Sequence, residues 1–342
     1  MKVVVGISGG VDSAVTAYIL KKQGYDVHCV YIRMMDDDSE KSDASEAADL
    51  LSLPFTELDI RDRFEKCVIN NFIDEYIDGR TPNPCIICNR DSKWRAMLDF
   101  ADEIGAEYVA TGHYAKIEKL ENGRYTIRNS KSTEKDQTYV LCRLSQEMLN
   151  RTLMPLGDYT KDEVRAIAED LGLNVAAKPD SQDICFIPDN NHFRFLMENA
   201  SERMHGPGMF INEEGREIGA HKGIEAYTIG QRKGLNIALG HPVYVSAIDA
   251  KANRVTLSDT DVYSDTMTVC DINEMGMKIC EVTLNHEFNV RVRYAHRGES
   301  ACVEVRDDKL LVKFKKPVRA IAPGQAAVFY IDGKIMFSGI IL

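Results

Sequence analysis

The run Gly6-Ile7-Ser8-Gly9-Gly10-Val11-Asp12-Ser13 constrains this chain more than any other stretch. It follows three valines, Val3-Val4-Val5, and leads into Ala14-Val15 and Tyr18-Ile19-Leu20, whose apolar spacing is helical. A short buried strand, a glycine turn and a helix are the expected local structure. Glycines let a ligand approach the backbone closely, and the first N–H groups of a helix have no partner within it. With the positive end of the helix dipole they form an anion site, and the usual anion is a phosphate. Ser8 and Ser13 add hydroxyl donors, and Asp12 is a candidate ligand for a magnesium ion bridging phosphate oxygens.

The common nucleotide loop ends in Gly-Lys-Ser/Thr, its lysine reaching the terminal phosphates. No lysine stands here. Ser-Gly-Gly-Val-Asp-Ser resembles instead the pyrophosphatase loop of enzymes that split ATP between its α and β phosphates. Such enzymes use AMP to activate a carbonyl or carboxylate. A plain turn in a doubly wound sheet would need one glycine and no flanking serines.

Beyond the loop, residues 27–32 read as a second strand, 45–53 as a helix, 55–59 as a third strand and 61–77 as a longer helix. This alternation predicts a doubly wound α/β domain with a parallel sheet. Residues 34–40 are acidic and read as a mobile loop over the strand ends. Residues 79–89 interrupt the alternation; Pro82 and Pro84 predict an extended, stiff loop carrying Cys85 and Cys88. Helical spacing resumes over 93–104, and Tyr108-Val109-Ala110 leads to the turn Gly112-His113. Ligands of such sheets sit beyond the carboxyl ends of the strands, so Gly9-Gly10 and Gly112-His113 should line one crevice. A helical stretch follows at 138–144, then a helix over 164–171 opened by the cap-like Thr160 and Glu163. Residues 178–186 form a second proline-led loop carrying Cys185, and a helix is expected at 191–197.

From about Gly206 the pattern changes to short alternating runs separated by turns such as Asp332-Gly333. A break near 259–271 divides this β territory in two. The expected domains are 1–202, α/β and catalytic; 203–266, mainly β; and 267–342, a β-barrel. At 342 residues the chain has room for two or three cores. No apolar run approaches the roughly 20 residues of a membrane span, and no signal peptide precedes the first strand, so a cytoplasmic protein is expected. The net charge of −11 does not favour nucleic acid overall, but a local basic face remains open to it, because salt screens distant charges.

Nine cysteines without a secretory signal argue for reduced thiols. Cys29, Cys67, Cys142, Cys270, Cys280 and Cys302 fall in expected helices and strands and read as small hydrophobes. Cys85-Ile86-Ile87-Cys88 is a CxxC with Cys185 far downstream. A four-cysteine zinc site lacks its second pair. Three thiolates, Cys85, Cys88 and Cys185, can carry an iron–sulfur cluster with one open position. The remaining chemistry is nucleophilic, one thiol carrying sulfur and another resolving it.

Several segments recur in this order in one family: Ser8 to Ser13, Arg80-Thr81-Pro82-Asn83-Pro84 with Cys88-Asn89, Ala110-Thr111-Gly112-His113-Tyr114, Lys135-Asp136-Gln137 and Asp183-Ile184-Cys185-Phe186-Ile187. Tyr227 to Leu235, Arg291-Val292-Arg293-Tyr294 and Pro323-Gly324-Gln325 extend the match to the C-terminus. Over its whole length the chain resembles the tRNA-specific 2-thiouridylases.

The resemblance implies an adenine nucleotide α-hydrolase-like domain that binds ATP and magnesium. ATP would lie on Gly6, Ile7, Ser8, Gly9, Gly10, Val11, Asp12 and Ser13, bordered by Ile32 and Gly112. It would adenylate the C2 oxygen of the wobble uridine of tRNAs for Lys, Glu and Gln. Cys185 would receive a persulfide from a cysteine desulfurase or relay protein, and Cys88 would be the partner thiol, leaving a Cys88–Cys185 disulfide. Asn83, Pro84 and Cys85 would flank the base. His113, Lys135, Asp136, Gln137, Arg293, Tyr294 and Gln325 would contact tRNA. Basic residues at 291–297 and 313–319 offer a surface for phosphates.

The chain departs from the family at Cys85, where aspartate is frequent, and at Ala14, where a second serine stands. Cys85 raises the weight of an iron–sulfur cluster, which still ranks below the disulfide mechanism. Two other readings remain: an ATP-dependent ligase or amidotransferase acting on a small metabolite, and a non-catalytic RNA-binding or metal scaffold.

Overall fold

The computed structural model describes residues 1–36, 39–173 and 184–342. In the first half the chain forms strands β1 (Lys2–Gly6), β2 (Asp26–Arg33), β3 (Phe55–Asp59), β4 (Tyr108–Ala110), β5 (Ala115–Lys119), β6 (Tyr125–Asn129) and β7 (Thr152–Leu153). Five of them make a parallel sheet in the order β3-β2-β1-β4-β7. The valines of β1 are buried on both faces. Val3 and Val5 pack with helices α1 (Val11–Lys22) and α2 (Ser39–Leu50), whereas Val4 packs with Trp94 and Met97. A central parallel strand must be apolar on both sides, which is why β1 reads as an unbroken run.

Three helical expectations are corrected. The helix placed at 45–53 begins earlier, at Ser39. The helical stretch at 138–144 is a short 3₁₀ segment, Thr138–Leu141. The proline segment is not extended throughout: Pro84–Ile87 is a helical turn that runs on as a π-helical turn, Cys88–Lys93, into the helix Trp94–Glu103. Pro84 stands at the first helical position, where its missing N–H costs nothing and its fixed φ suits the helix. Cys88 is therefore helical. The second cysteine loop falls mostly on 174–183, outside the described residues.

Strands β8 (Gly208–Ile211), β9 (Glu217–His221), β10 (Tyr244–Asp249) and β11 (Arg254–Ser258) form a small mixed sheet. The last six are β12 (Tyr263–Glu274), β13 (Glu287–Arg291), β14 (Glu299–Arg306), β15 (Lys309–Arg319), β16 (Ala326–Ile331) and β17 (Lys334–Ile341). They run β12-β15-β14-β13-β16-β17, and pairing of β12 with β17 closes a barrel. The break expected at 259–271 is largely β12, a 12-residue strand whose exposed polar positions mask its alternation.

The β5–β6 hairpin of the first half extends the barrel's sheet through β6 and β17. Ala326, Val328, Tyr330 and Ile335 of the barrel share one apolar cluster with Val4, Trp94 and Met97 of the α/β unit. Across this junction Tyr139 Oη donates to the Ala326 carbonyl at 2.8 Å, and Arg124 Nε donates to the Met275 carbonyl at 2.8 Å. Among the described residues, no helix is long and apolar enough to cross a membrane.

Candidate active site

The glycine-serine loop is held by its own atoms. Ser13 Oγ accepts from the Ser8 N–H at 3.1 Å and donates to the Gly10 carbonyl at 3.0 Å. Gly9 has φ +71°, and a Cβ there would lie 2.7 Å from the Glu40 carbonyl oxygen, so the loop is seated against the first turn of α2. Helix α1 starts after Gly10 with no side chain capping its N–H groups. Those donors fit phosphate oxygens. Ile7 and Val11 are buried beneath the loop, while Gly6 lies against Met97.

Gly112 closes on this loop. A Cβ at Gly112 would sit 2.8 Å from both the Asp12 carbonyl carbon and the Ser13 nitrogen, so only glycine allows the approach. The carboxyl ends of β1 and β4 thus share a crevice, and Ile32 lies half-buried near the end of β2. Next in the chain, Tyr114 Oη donates to Asp12 Oδ1 at 2.8 Å. Lys161, the first residue of the helix Lys161–Asp170, reaches both Asp12 oxygens at 2.9 and 2.8 Å. Asp12 would hold magnesium only by sharing its carboxylate with these two donors.

Local sequence marks the Lys161 segment only as a helix start, and the structure gives Thr160 and Glu163 a reciprocal capping box. The available signal was electrostatic: a lysine in the first turn opposes the helix dipole, which favours Asp162 and Glu163 there.

The cysteine segment lies beside the same crevice. Cys88 is 5% exposed in an apolar cluster with Phe64, Phe72, Phe186 and Ile187, so it packs with the two residues following Cys185. Cys185 and Cys85 are exposed. One π-helical turn after Cys88 stands Lys93, within electrostatic reach of Cys85, Cys88 and Cys185. Burial opposes the charge of Lys93, but electrostatic interaction with Cys88, Cys185, Cys85 and Glu40 holds it above the usual lysine range. Burial pushes the Cys88 thiol up to about 11, with Lys93 pulling the other way. Cys85 and Cys185 are raised by desolvation and opposed by Lys93 in the same manner.

His113 joins the two halves. Its ring packs on Trp94 with centroids 5.6 Å apart, and Nδ1 lies 2.9 Å from Thr111 Oγ1. Burial, then the Lys93 charge, lowers it to about 3, so the imidazole is neutral at physiological pH. Among the described residues, no group of three or more His, Cys, Asp or Glu side chains is arranged to hold a metal ion.

The residues expected to meet tRNA divide into two kinds. Tyr294 is 51% exposed, Cys85 is exposed as the second residue of the cysteine helix, and Asn83 is half-buried as its cap, beside buried Pro84. The others are engaged within the protein. Asp136 accepts from Thr138 Oγ1 at 2.6 Å and from Arg291 Nη1 at 3.3 Å, with Lys135 half-buried beside it. Gln137 Oε1 accepts from the Tyr114 N–H at 2.9 Å. Arg293 donates to the Arg319 carbonyl at 2.8 Å. Gln325 Nε2 donates to the Thr81 carbonyl at 2.9 Å, and the Thr81 N–H donates to Pro323 O at 2.8 Å, so the barrel turn clamps the proline segment. In the second basic run Lys315 pairs with Glu287 at 2.6 Å, Arg319 with Asp261 at 2.6 Å and Lys313 with Asp265, which reduces the positive field of that face.

Comparison with known proteins covers the whole chain. Residues 1–189 match the family model described as tRNA methyl transferase HUP domain, 194–259 its PRC-barrel domain and 264–341 the aminomethyltransferase beta-barrel domain. A tRNA-specific 2-thiouridylase MnmA of Clostridium perfringens is 45% identical, the match spanning 99% of this chain and 98% of that one. The proteins of the same name from Lachnoclostridium phytofermentans and Acetivibrio thermocellus are 43% and 45% identical over the same shares.

Proposed function

The chain belongs to the tRNA-specific 2-thiouridylase family, and from that premise we propose that it thiolates C2 of the wobble uridine of tRNA at the expense of ATP. The observation that carries this reading is the Gly112-His113 dipeptide. Gly112 lies against the loop suited to ATP phosphates, while His113 lies within electrostatic reach of Lys93, the cation shared by the three thiols. One crevice therefore serves both activation and sulfur delivery.

In this reading the loop N–H groups and Ser8 hold the ATP phosphates while the uridine C2 oxygen attacks the α-phosphorus and pyrophosphate leaves. Asp12 would hold a magnesium ion there, and the ion would supply screening of the phosphate charge. The base must leave its stack, and Asn83, Pro84 and Cys85 form the wall it enters against. Cys185 carries a persulfide taken from a cysteine desulfurase or relay protein. Its terminal sulfur bonds to the activated C2. The Cys88 thiolate then attacks Cys185 Sγ, the persulfide S–S bond breaks, and AMP departs with the former carbonyl oxygen. A Cys88–Cys185 disulfide remains, and two external thiol groups together return the two electrons that reset it, leaving as a disulfide. The tRNAs for Lys, Glu and Gln are the expected substrates, which places the enzyme in the cytoplasm. Tyr294 supplies an exposed aromatic contact for RNA, with Lys135 and Arg293 nearby on the barrel side. An iron–sulfur cluster on Cys85, Cys88 and Cys185 is the less favoured arrangement.

Mass spectrometry of wobble nucleosides from tRNA incubated with protein, ATP, magnesium and a persulfide source (a cysteine desulfurase with cysteine) tests this reading. Cys88→Ser and Cys185→Ser should each abolish 2-thiouridine, and Cys142→Ser should leave it largely intact. Full activity of the Cys185 variant would sink the mechanism. An anaerobic visible spectrum of the same protein distinguishes a cluster from free thiols.

A further inference from the structure

We propose that Lys161 is the cation that the nucleotide loop lacks in its own sequence, and that it pairs with the pyrophosphate half of ATP. This assignment rests on the loop being the place where ATP is cleaved.

Lys161 opens its helix against the dipole, so local structure gives no reason for a cation there. Its side chain is only 11% exposed, and its ammonium sits on both oxygens of Asp12 at 2.9 and 2.8 Å. Tyr114, itself 2% exposed, presents its ring to the same ammonium 5.8 Å away and donates its hydroxyl to Asp12 Oδ1 at 2.8 Å. Asp12 and Tyr114 together hold the charge at the second residue of α1, beside the uncapped N–H groups of that helix.

For the pair alone this is a poor bargain. Asp12 already gains from the positive end of α1, and withdrawing an ammonium from water is costly. For a polyanionic ligand the arrangement makes sense. An unpaired Asp12 carboxylate would repel ATP from the loop, and Lys161 removes that repulsion. In the cleavage step the bond from the α-phosphorus to the bridging oxygen breaks, and the electron pair leaves on pyrophosphate. A fixed ammonium beside that oxygen stabilises the developing charge without transferring a proton. In the common nucleotide loop a lysine of the loop itself does this. Here the cation arrives from a helix some 150 residues downstream, Lys161 against Asp12.

The test compares wild type, Lys161→Ala, Lys161→Met and Lys161→Arg in three measurements: tRNA-dependent AMP release, inhibition by inorganic pyrophosphate, and inhibition by AMP. Replacing a charge-assisted contact should cut AMP release roughly ten- to a hundredfold and weaken pyrophosphate inhibition by a similar factor. AMP inhibition should stay within about twofold, since AMP lacks the phosphates that Lys161 meets. The arginine variant should recover most of the pyrophosphate effect. Equal weakening of both inhibitors would mean that Lys161 only props the loop, and unchanged pyrophosphate inhibition would overturn the proposal outright. Should the alanine variant fold poorly, the methionine variant retains the stem and gives the same readings. The melting-temperature shift on adding pyrophosphate reads the contact even in protein that does not act on tRNA. Failure of that wider reading is thereby separated from failure of this one.

Discussion

The two halves of the crevice are held in place by opposite means. The nucleotide loop is secured by hydrogen bonds among Ser8, Gly10 and Ser13 and by glycines pressed against adjacent backbone. The cysteine helix is secured from elsewhere: Asn89 Nδ2 donates to the Val140 carbonyl at 3.0 Å, Thr81 is bonded to Pro323, and Gln325 reaches back to Thr81. One half is braced wholly within the α/β unit, and the other is also held by the barrel. Damage to the first should come from small steric changes at the site. Damage to the second should also come from residues far along the chain.

The largest effect is expected from Gly112→Ala. The added methyl would overlap the backbone of Asp12 and Ser13, which has no free rotamer to yield. Overpacking of this kind costs about 1–3 kcal/mol of stability, and a loop displaced by even an ångström loses about a hundredfold in rate. Thermal melting and tRNA-dependent AMP release measure the two. AMP release within a few-fold of wild type would show that the loop is not as rigid as its contacts imply. Alkylation of Cys88 should barely change, because that thiol is positioned from the other side.

An intermediate effect is expected from Lys93→Met. With Cys88 held up at about 11, its alkylation rate should rise about tenfold per pH unit until the pH approaches that value. Removing the ammonium withdraws the one influence named as favouring the thiolate, so the midpoint moves further up and the rate at pH 8 falls, by roughly three- to tenfold. Iodoacetamide labelling followed across pH 7–10 gives the curve. A labelling rate in that range that rises or stays fixed would remove Lys93 from the thiol half. His113, relieved of the same charge, should become somewhat easier to protonate, while burial, the larger cause, still keeps it neutral near pH 7.

The same contrast explains what could be read in the sequence. The loop was legible because its structure is encoded within eight consecutive residues. The α/β unit was legible because buried parallel strands are apolar runs, as in Val3 to Val5. Pro84 misled because a proline can open a helix as well as forbid one, and the choice depends on the chain that follows. The strand over 263–274 was hidden because many of its side chains face water, and only closure of the barrel shows why it is long. Lys161 and Asp12 meet through tertiary packing of two helices, which no local pattern records. Gln325 and Asp136 were singled out by family resemblance as tRNA contacts, whereas their bonds to Thr81, Thr138 and Arg291 depend on how the barrel docks.

The smallest effect, and the one most specific to remote support, is expected from Gln325→Ala. The substitution deletes the amide donor to the Thr81 carbonyl but leaves the Thr81 N–H to Pro323 O bond in place. A single hydrogen bond of this kind is worth about 1 kcal/mol, so the melting temperature should fall by a few degrees at most. Loosening the proline segment should slow sulfur transfer more than adenylation, since the nucleotide loop has its own bonds. The measurable signature is a changed ratio: 2-thiouridine formed per AMP released should drop severalfold while pyrophosphate inhibition stays constant. If both products fall together, Gln325 acts on tRNA binding, as the family resemblance implies. If only the thionucleoside falls, the barrel serves the chemistry by holding the cysteine helix against the crevice.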